Sequence, residues 1–280
     1  MSAPTVPVEP RPAASVVIVR AAAPTAPEPI EVWMIRRKQS MKFLGGYYAF
    51  PGGRVDAADG SAEALACCHG LDAAGAARLF PGHQELPAFA FWVTAVRELL
   101  EESGLLLACD ETGRPIDARQ PATLEALTRL RKDLMAGAGA LPALLAREGW
   151  SADVRGLRYL SHFITPASSP IRFTARFFLC RVPEDQAPAL FTEETSEAFW
   201  IHPGEGYRRF IAGDMAMAEP AEYGLGYLAQ FNSLDELWAA HADGQQKFHG
   251  VGDRIDRAWA DFDWKASRFP EAPTRGNHRR

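Results

Sequence analysis

The stretch Ala95-Val96-Arg97-Glu98-Leu99-Leu100-Glu101-Glu102-Ser103-Gly104-Leu105 restricts this chain more than any other. The residues Ala90 to Ser103 read as a helix that Gly104 stops. On a wheel of about 100° per residue with Glu98 at zero, Glu101 falls at about 300° and Glu102 at about 40°. Trp92, Val93, Val96, Leu99 and Leu100 occupy the opposite arc, between about 100° and 220°. The helix thus turns an apolar back to a core and an acidic front away from it. Like charges three and four residues apart repel, at a few tenths of a kcal/mol per pair, so something must offset them. One reading is a solvated face that Arg97 partly compensates. The other is a divalent cation site, because Mg²⁺ is held by a few carboxylates together with substrate phosphates.

The remainder of the 280 residues is ordinary, with 47% apolar, 23% charged and a net charge of −5. That composition excludes a disordered or fibrous chain, and the length suits one elaborated domain or two small ones. Net acidity argues against a coat for nucleic acid, although a local basic patch over a small phosphorylated substrate is compatible with it. No apolar run approaches the roughly 20 residues that span a bilayer. Residues 1–20 lack the order of a secretory signal, and Asn277-His278-Arg279-Arg280 is neither a prenylation nor a peroxisomal signal. A cytoplasmic protein is therefore expected, with a small-molecule substrate and neither nucleic acid nor membrane as partner. Cys67, Cys68, Cys109 and Cys180 form no Cys-x-x-Cys pair and read as reduced thiols. The histidines form no His-x-x-x-His or His-Glu-x-x-His pair, and no Gly-x-Ser-x-Gly elbow occurs.

Along the chain, residues 1–12 read as a flexible proline-rich lead-in. Ala14–Arg20 and Ile30–Arg37 read as strands that pair as a hairpin. A glycine-dense loop with aromatics follows, Lys42 to Gly53. Ser61–Phe80 reads as one Ala-rich helix that Pro81–Pro87 ends. Thr123–Ala136 and Leu141–Arg147 read as helices, and Arg158–Thr165, Ile171–Val182 and Glu197–Ile201 as strands. Gly204–Gly213 and Ser233–His241 read as helices again. Strands mixed with helices, without regular βαβ alternation, imply an α+β fold of α/β/α layers. The cluster Gly224-Leu225-Gly226 follows no strand and is not a dinucleotide fingerprint.

Two separated segments carry a resemblance. Arg97-Glu98-Leu99-x-Glu101-Glu102-x-Gly104-Leu105, with Gly53 and Asp59 upstream, resembles the Nudix box, Gx5Ex7REUxEExGU with U a large aliphatic. The second half matches at every specified position. In the first half Asp59 stands where the box has glutamate, and Gly60–Val96 intervene, about 30 residues more than the box allows. Phe50-Pro51-Gly52-Gly53 precedes it. The upstream motif of coenzyme A-cleaving Nudix enzymes, LLTxR(S/A)x3Rx3Gx3FPGG, matches at Arg37 and Gly46, has Lys42 in place of its second arginine, and departs at Ile35 and Lys38. A box split by an insertion is similar to the coenzyme A diphosphatase branch. The segments Phe163-Ile164-Thr165-Pro166, Arg172 to Phe178 and Glu197 to Pro203 resemble it too.

The resemblance implies a Nudix domain over 13–250 with a mixed sheet between helices, insertions at about 60–90 and 110–150, and a tail over 251–280. It implies Mg²⁺- or Mn²⁺-dependent hydrolysis of a diphosphate bond. The expected substrate is coenzyme A or an acyl derivative, and the products (acyl-)4′-phosphopantetheine and adenosine 3′,5′-bisphosphate. Another nucleoside diphosphate derivative such as ADP-ribose, or a nucleotide sensor without turnover, are the alternatives. Glu98, Glu101 and Glu102 would hold the cations with the backbone of Gly53. Arg97 would complete the catalytic set by bracing the acidic helix, and Asp59 would approach the site in a role that the helix-length insertion after it leaves unassigned. Arg37, Lys42, Gly46, Phe50, Gly52 and Gly53 would contact substrate, and Glu194 or Glu197 would serve as auxiliary base. Arg172 and Arg176 share a strand face; they would either reach the coenzyme's extra phosphate or pair with Glu193, Glu194 or Glu197, and the pairing is the favoured expectation. Tyr47, Tyr48 and Phe50 are expected to pack, with stacking on a base as the alternative. A homodimer is open to the chain, with the insertions as a contact or a lid.

Overall fold

The β-branched run and its partner pair as read: β1 (Arg11–Ala21) and β2 (Ile30–Arg37) form an antiparallel hairpin. The computed structural model describes residues 8–80, 86–251 and 254–257. The glycine loop carries β3 (Tyr48–Ala49) and β4 (Gly52–Arg54), which pair with β2 and β1. The first insertion holds α1 (Ala62–Ala66), β5 (Cys68–His69) and α2 (Ala73–Leu79) and leads into α3 (Ala90–Ser103). The second holds β6 (Ala108–Cys109), α4 (Pro121–Met135), α5 (Leu141–Arg147) and β7 (Ser151–Asp153). Then come β8 (Leu157–Ile164), β9 (Phe173–Arg181), β10 (Thr195–Ile201), α6 (Pro203–Ile211), α7 (Glu219–Leu228), α8 (Leu234–Ala240), β11 (Phe248–Val251) and β12 (Arg254–Arg257).

The main sheet runs β10-β2-β1-β9-β8-β11-β12, with β3 and β4 beside β2 and β1. It is mixed: β1 lies parallel to β9, and β8 antiparallel to it. Residues alternate across the sheet with a period of two. Val16, Ile18, Phe178 and Cys180 face α3 and the insertion helices; Val17, Val19, Met34 and Leu179 face α6, α7 and α8. Covering on both faces explains why β1 reads as an unbroken apolar run. The layered α/β/α arrangement is the one expected.

Four boundaries differ from the sequence reading. Ser61–Phe80 is not one helix. Ser61 caps α1 by accepting from the Ala64 N–H, and Asp72 caps α2 by accepting from Gly75 at 2.6 Å. Between them Cys68 and His69 pair with β7, which sits in a small sheet ordered β5-β7-β6. Local capping and a distant strand together outweigh the alanine-rich propensity. Arg11 and Pro12, assigned to the lead-in, pair with Phe173 and Thr174 of β9. Helix α7 was not anticipated, because Gly224 and Gly226 lower its intrinsic propensity. Gly224 leaves room for the Phe50 ring, which a Cβ there would meet at 2.9 Å. The hairpin of β11 and β12 extends the sheet past residue 250, where the tail was expected to begin. Residues 1–7 of the lead-in, 81–85 of the proline break and most of the tail lie outside the described residues.

Candidate active site

Helix α3 packs on β1 and β4 and is buried from Ala90 through Leu100, with Arg97 at 6% and Glu98 at 5% exposure. Glu101 and Glu102 are half-buried. The acidic front is therefore the floor of a cleft and not a solvated face. Gly104 ends the helix in the left-handed region, at φ 74°, where the ring of Phe191 also leaves little room for a side chain.

Arg97 organises the floor. Its Nε lies 3.2 Å from both Asp59 oxygens, and its Nη2 3.0 Å from Asp59 and 2.6 Å from the Arg54 carbonyl. Its Nη1 donates to Glu98 at 2.7 Å and to Glu101 at 3.2 Å. Asp59, 1% exposed, also accepts from the Thr94 hydroxyl at 2.8 Å and the Asp56 N–H at 3.0 Å. The first insertion starts one residue after Asp59 and returns ahead of α3, so the halves of the split motif meet again in space. Asp59, left without a role by the sequence, anchors the arginine. Strand β4 runs along the acidic side chains. The Gly52 N–H donates to Glu102 at 2.7 Å, and a Cβ on Gly53 would overlap the Glu98 carboxylate, which would have to shift to make room for it.

Burial pushes Glu98 well above the usual carboxylate range against the pull of Arg97, and Glu102 and Glu101 add to the rise. Burial also raises Glu101. It pushes Glu102 up to about 7, opposed by the Gly52 N–H and Arg37 and reinforced by Glu194 and Glu101. The carboxylates are engaged by Arg97 and Gly52, and among the described residues no three acidic, His or Cys side chains converge on one point. The donor chemistry nevertheless suits a hard divalent cation: three carboxylates in a cleft, destabilised as anions by burial and by one another, beside a glycine backbone.

The cleft has a volume of about 800 Å³. Arg37, Glu98, Glu101, Glu102 and Glu194 line it together with the apolar Phe43, Tyr47, Phe163, Phe173, Phe177 and Met217. Phe50, Gly52 and Gly53 also line it, and Phe50 and Tyr48 are buried as expected. Lys42 is exposed and outside the lining. Gly46 is outside it too, its carbonyl accepting from Arg36 Nε at 3.3 Å. Of the two auxiliary carboxylates only Glu194 reaches the cleft. Glu197 is exposed and bonded to Arg36 at 2.7 Å, because the alternation of β10 sends it along the register partner of that arginine.

The expected pairing of Arg172 and Arg176 with late glutamates does not occur. Arg172 donates to the carbonyls of Thr165 at 3.0 Å and Val8 at 2.6 Å. Arg176 is buried against Tyr159, Phe80 and Phe91. The sequence reading missed Arg131, which lines the cleft from the second insertion. Its signal was present: Arg131 interrupts the stripe Leu127, Leu130, Leu134 at helical spacing.

A mixed sheet between helices, with an acidic helix and a glycine strand at one cleft, is the architecture of the Nudix class. Within that class the chain belongs to the family described as the NUDT19 Nudix domain, whose model matches residues 10–228. Among curated relatives, an acyl-coenzyme A diphosphatase NUDT19 of Gallus gallus is 28% identical over 257 residues, covering 80% of this chain and 68% of the relative. The Homo sapiens protein of that name is 30% identical over 257 residues, covering 78% and 66%. A putative nudix hydrolase 7 of Caenorhabditis elegans is 31% identical over 204 residues, covering 73% of this chain and 57% of the relative. The chain thus spans between 57% and 68% of the length of these proteins. A crystal structure of a NUDIX hydrolase from Alicyclobacillus acidocaldarius superposes with a TM-score of 0.66 at 32% identity, covering 81% of this chain and 94% of that one. Among the described residues no helix is long and apolar enough to cross a membrane.

Proposed function

We propose that the chain hydrolyses the diphosphate bond of coenzyme A or an acyl derivative, in a reaction that requires Mg²⁺ or Mn²⁺. The observation that carries this is the presence of three acidic side chains of α3 and several aromatic residues in the lining of one cleft of about 800 Å³. A diphosphate flanked by a nucleotide and a long thioester arm has both kinds of surface, and the volume lies within the usual range for ligand sites. The names of the vertebrate relatives support the same substrate class.

Glu98, Glu101 and Glu102, with the Gly53 carbonyl, would hold a divalent cation, which when bound would supply neutralisation of phosphate charge and a more acidic water. Arg97 keeps the acids gathered, and the Gly52 N–H holds Glu102 in place. Arg37, whose Nε is engaged by the Phe43 carbonyl at 3.2 Å, offers its terminal nitrogens to a phosphate. Glu194 lies on the same cleft and takes a proton from the attacking water. Water adds to one phosphorus, the bridging P–O bond breaks, and the bridging oxygen leaves with the second phosphate.

Incubation of purified protein with coenzyme A and Mg²⁺ is expected to release 4′-phosphopantetheine and adenosine 3′,5′-bisphosphate. Glu102→Gln is expected to lower turnover about 10²–10⁴-fold with an unchanged circular dichroism spectrum. Brisk cleavage of ADP-ribose with no bisphosphate from coenzyme A would overturn the substrate assignment.

A further inference from the structure

The loop between β9 and β10 presents an electrostatic problem. It brings Glu193 and Glu194 to a cleft that Glu101 and Glu102 already line. Four carboxylates on facing elements repel, and repulsion alone would drive the loop away from the helix.

Arg131 stands between them. It comes from α4 of the second insertion, with its side chain only 13% exposed. Its Nε donates to the Glu101 carbonyl at 2.9 Å, in the last turn of α3, where the helix dipole favours a cation. Its Nη1 lies 3.3 Å from Glu193, and its guanidinium carbon 3.3 Å from the centre of the Phe191 ring. One planar group thus serves a helix carbonyl, a loop carboxylate and a loop aromatic together, which an ammonium cannot reproduce. The bond to Arg131 holds Glu193 below its ordinary range.

The rest of the loop is stitched along the same path. The Ala189 N–H donates to the Ser103 carbonyl at 2.9 Å, and the Gln186 amide brackets the Leu106 backbone with two bonds of 2.9 Å. At its far end the Lys38 N–H donates to the Glu194 carbonyl at 2.9 Å.

We propose that Arg131 is a positioning residue: it fastens the β9–β10 loop to the C-terminal end of α3 and thereby sets Glu194 in its place across from Glu102. The second insertion is then a buttress of the active site. The kinetic part rests on the function proposed above; the structural part does not.

The test joins kinetics to hydrogen exchange on the intact chain. Arg131→Ala is expected to lower kcat at least tenfold while KM changes less than twofold. Arg131→Lys, which keeps charge and loses the fork, is expected to fall between Arg131→Ala and the wild type. Arg129→Ala, on the same helix and paired with Glu148 away from the cleft, is expected to leave both constants unchanged. In Arg131→Ala the Ala189 and Leu106 amides are expected to exchange at least tenfold faster. A raised KM with intact kcat would make Arg131 a substrate contact and overturn the proposal. Unchanged exchange at both amides would overturn it as well. Should the wild type cleave no diphosphate, the function assigned above fails by itself, and the exchange arm still decides whether Arg131 fastens the loop.

Discussion

Arg97 and Arg176 lie at nearly the same depth, 6% and 9% exposed, the first on α3 and the second packed against its Phe91, yet their surroundings are opposite. Arg97 meets the carboxylates of Asp59, Glu98 and Glu101 and the Arg54 carbonyl. Arg176 meets the Tyr159 hydroxyl at 3.0 Å and the rings of Phe80 and Phe91 at 4.5 and 5.7 Å, and its Nε has no hydrogen-bond partner among the described residues. Burial disfavours the charge of both. At Arg97 the acids, Glu98 first, outweigh burial and leave the guanidinium more firmly protonated than usual. At Arg176 burial wins and the pKa falls. A buried cation can thus be the hub of a charge network or a large group filling an aromatic pocket, and depth alone does not distinguish the two.

Substitution separates them most sharply. Arg97→Met leaves Asp59 and Glu98 as buried charges without their cation and is expected to cost about 3–5 kcal/mol in urea unfolding. A loss below about 1 kcal/mol would mean that the acids find other partners and that Arg97 is no hub. Divalent cations test the same network from the other side. Mg²⁺ or Mn²⁺ at a hundredfold excess over Kd is expected to stabilise the protein by about 2.7 kcal/mol, read as a rise in Tm. The sign of the pH dependence follows from Glu102. Its pKa in the fold, about 7, lies above the unfolded value, so the metal-free protein loses stability as pH rises through 7. Cation binding requires the ionised carboxylates, so the rise in Tm is expected to be larger at pH 8 than at pH 6, and Glu98→Gln is expected to diminish it. An equal rise in Glu98→Gln would place the cation elsewhere. Arg176→Met is expected to have the smallest effect, within about 1 kcal/mol in either direction, since a modest cation–π gain is exchanged for relief of desolvation. A cost of about 3 kcal/mol or more would show that a carboxylate holds Arg176 and would end the contrast.

Much of the fold was legible because local period reported it. β1, β2, α3, α4, α5, α6 and α8 carry apolar residues at spacings that belong to one element type, with stops such as Gly104 at their ends. What was not legible depends on partners far along the chain. Cys68 and His69 leave a helical pattern because β7 waits more than eighty residues later. α7 keeps its glycines because Phe50 needs the space. The candidate site divides likewise: Arg97, Glu98, Glu101 and Glu102 stood out by spacing on one helix. Arg131 and the return of Asp59 depend on where two insertions re-enter. Lys42 and Gly46, placed by motif spacing, are not among the residues that line the cleft, although Phe43, Leu44 and Tyr47 of the same loop are.

The amino-acid order by itself determined one amphipathic helix with three acids on a face, the hairpin beside it and the glycines that let a backbone come close. Those follow from rotation per residue and from the absence of a Cβ, which are properties of a few neighbouring residues. Only the tertiary structure decided that the acidic face is buried, that Asp59 meets Arg97 across an insertion, and that Glu194 and not Glu197 shares the cleft. Burial and charge balance are sums over groups distant in sequence, and those sums exist only once the chain has closed on itself.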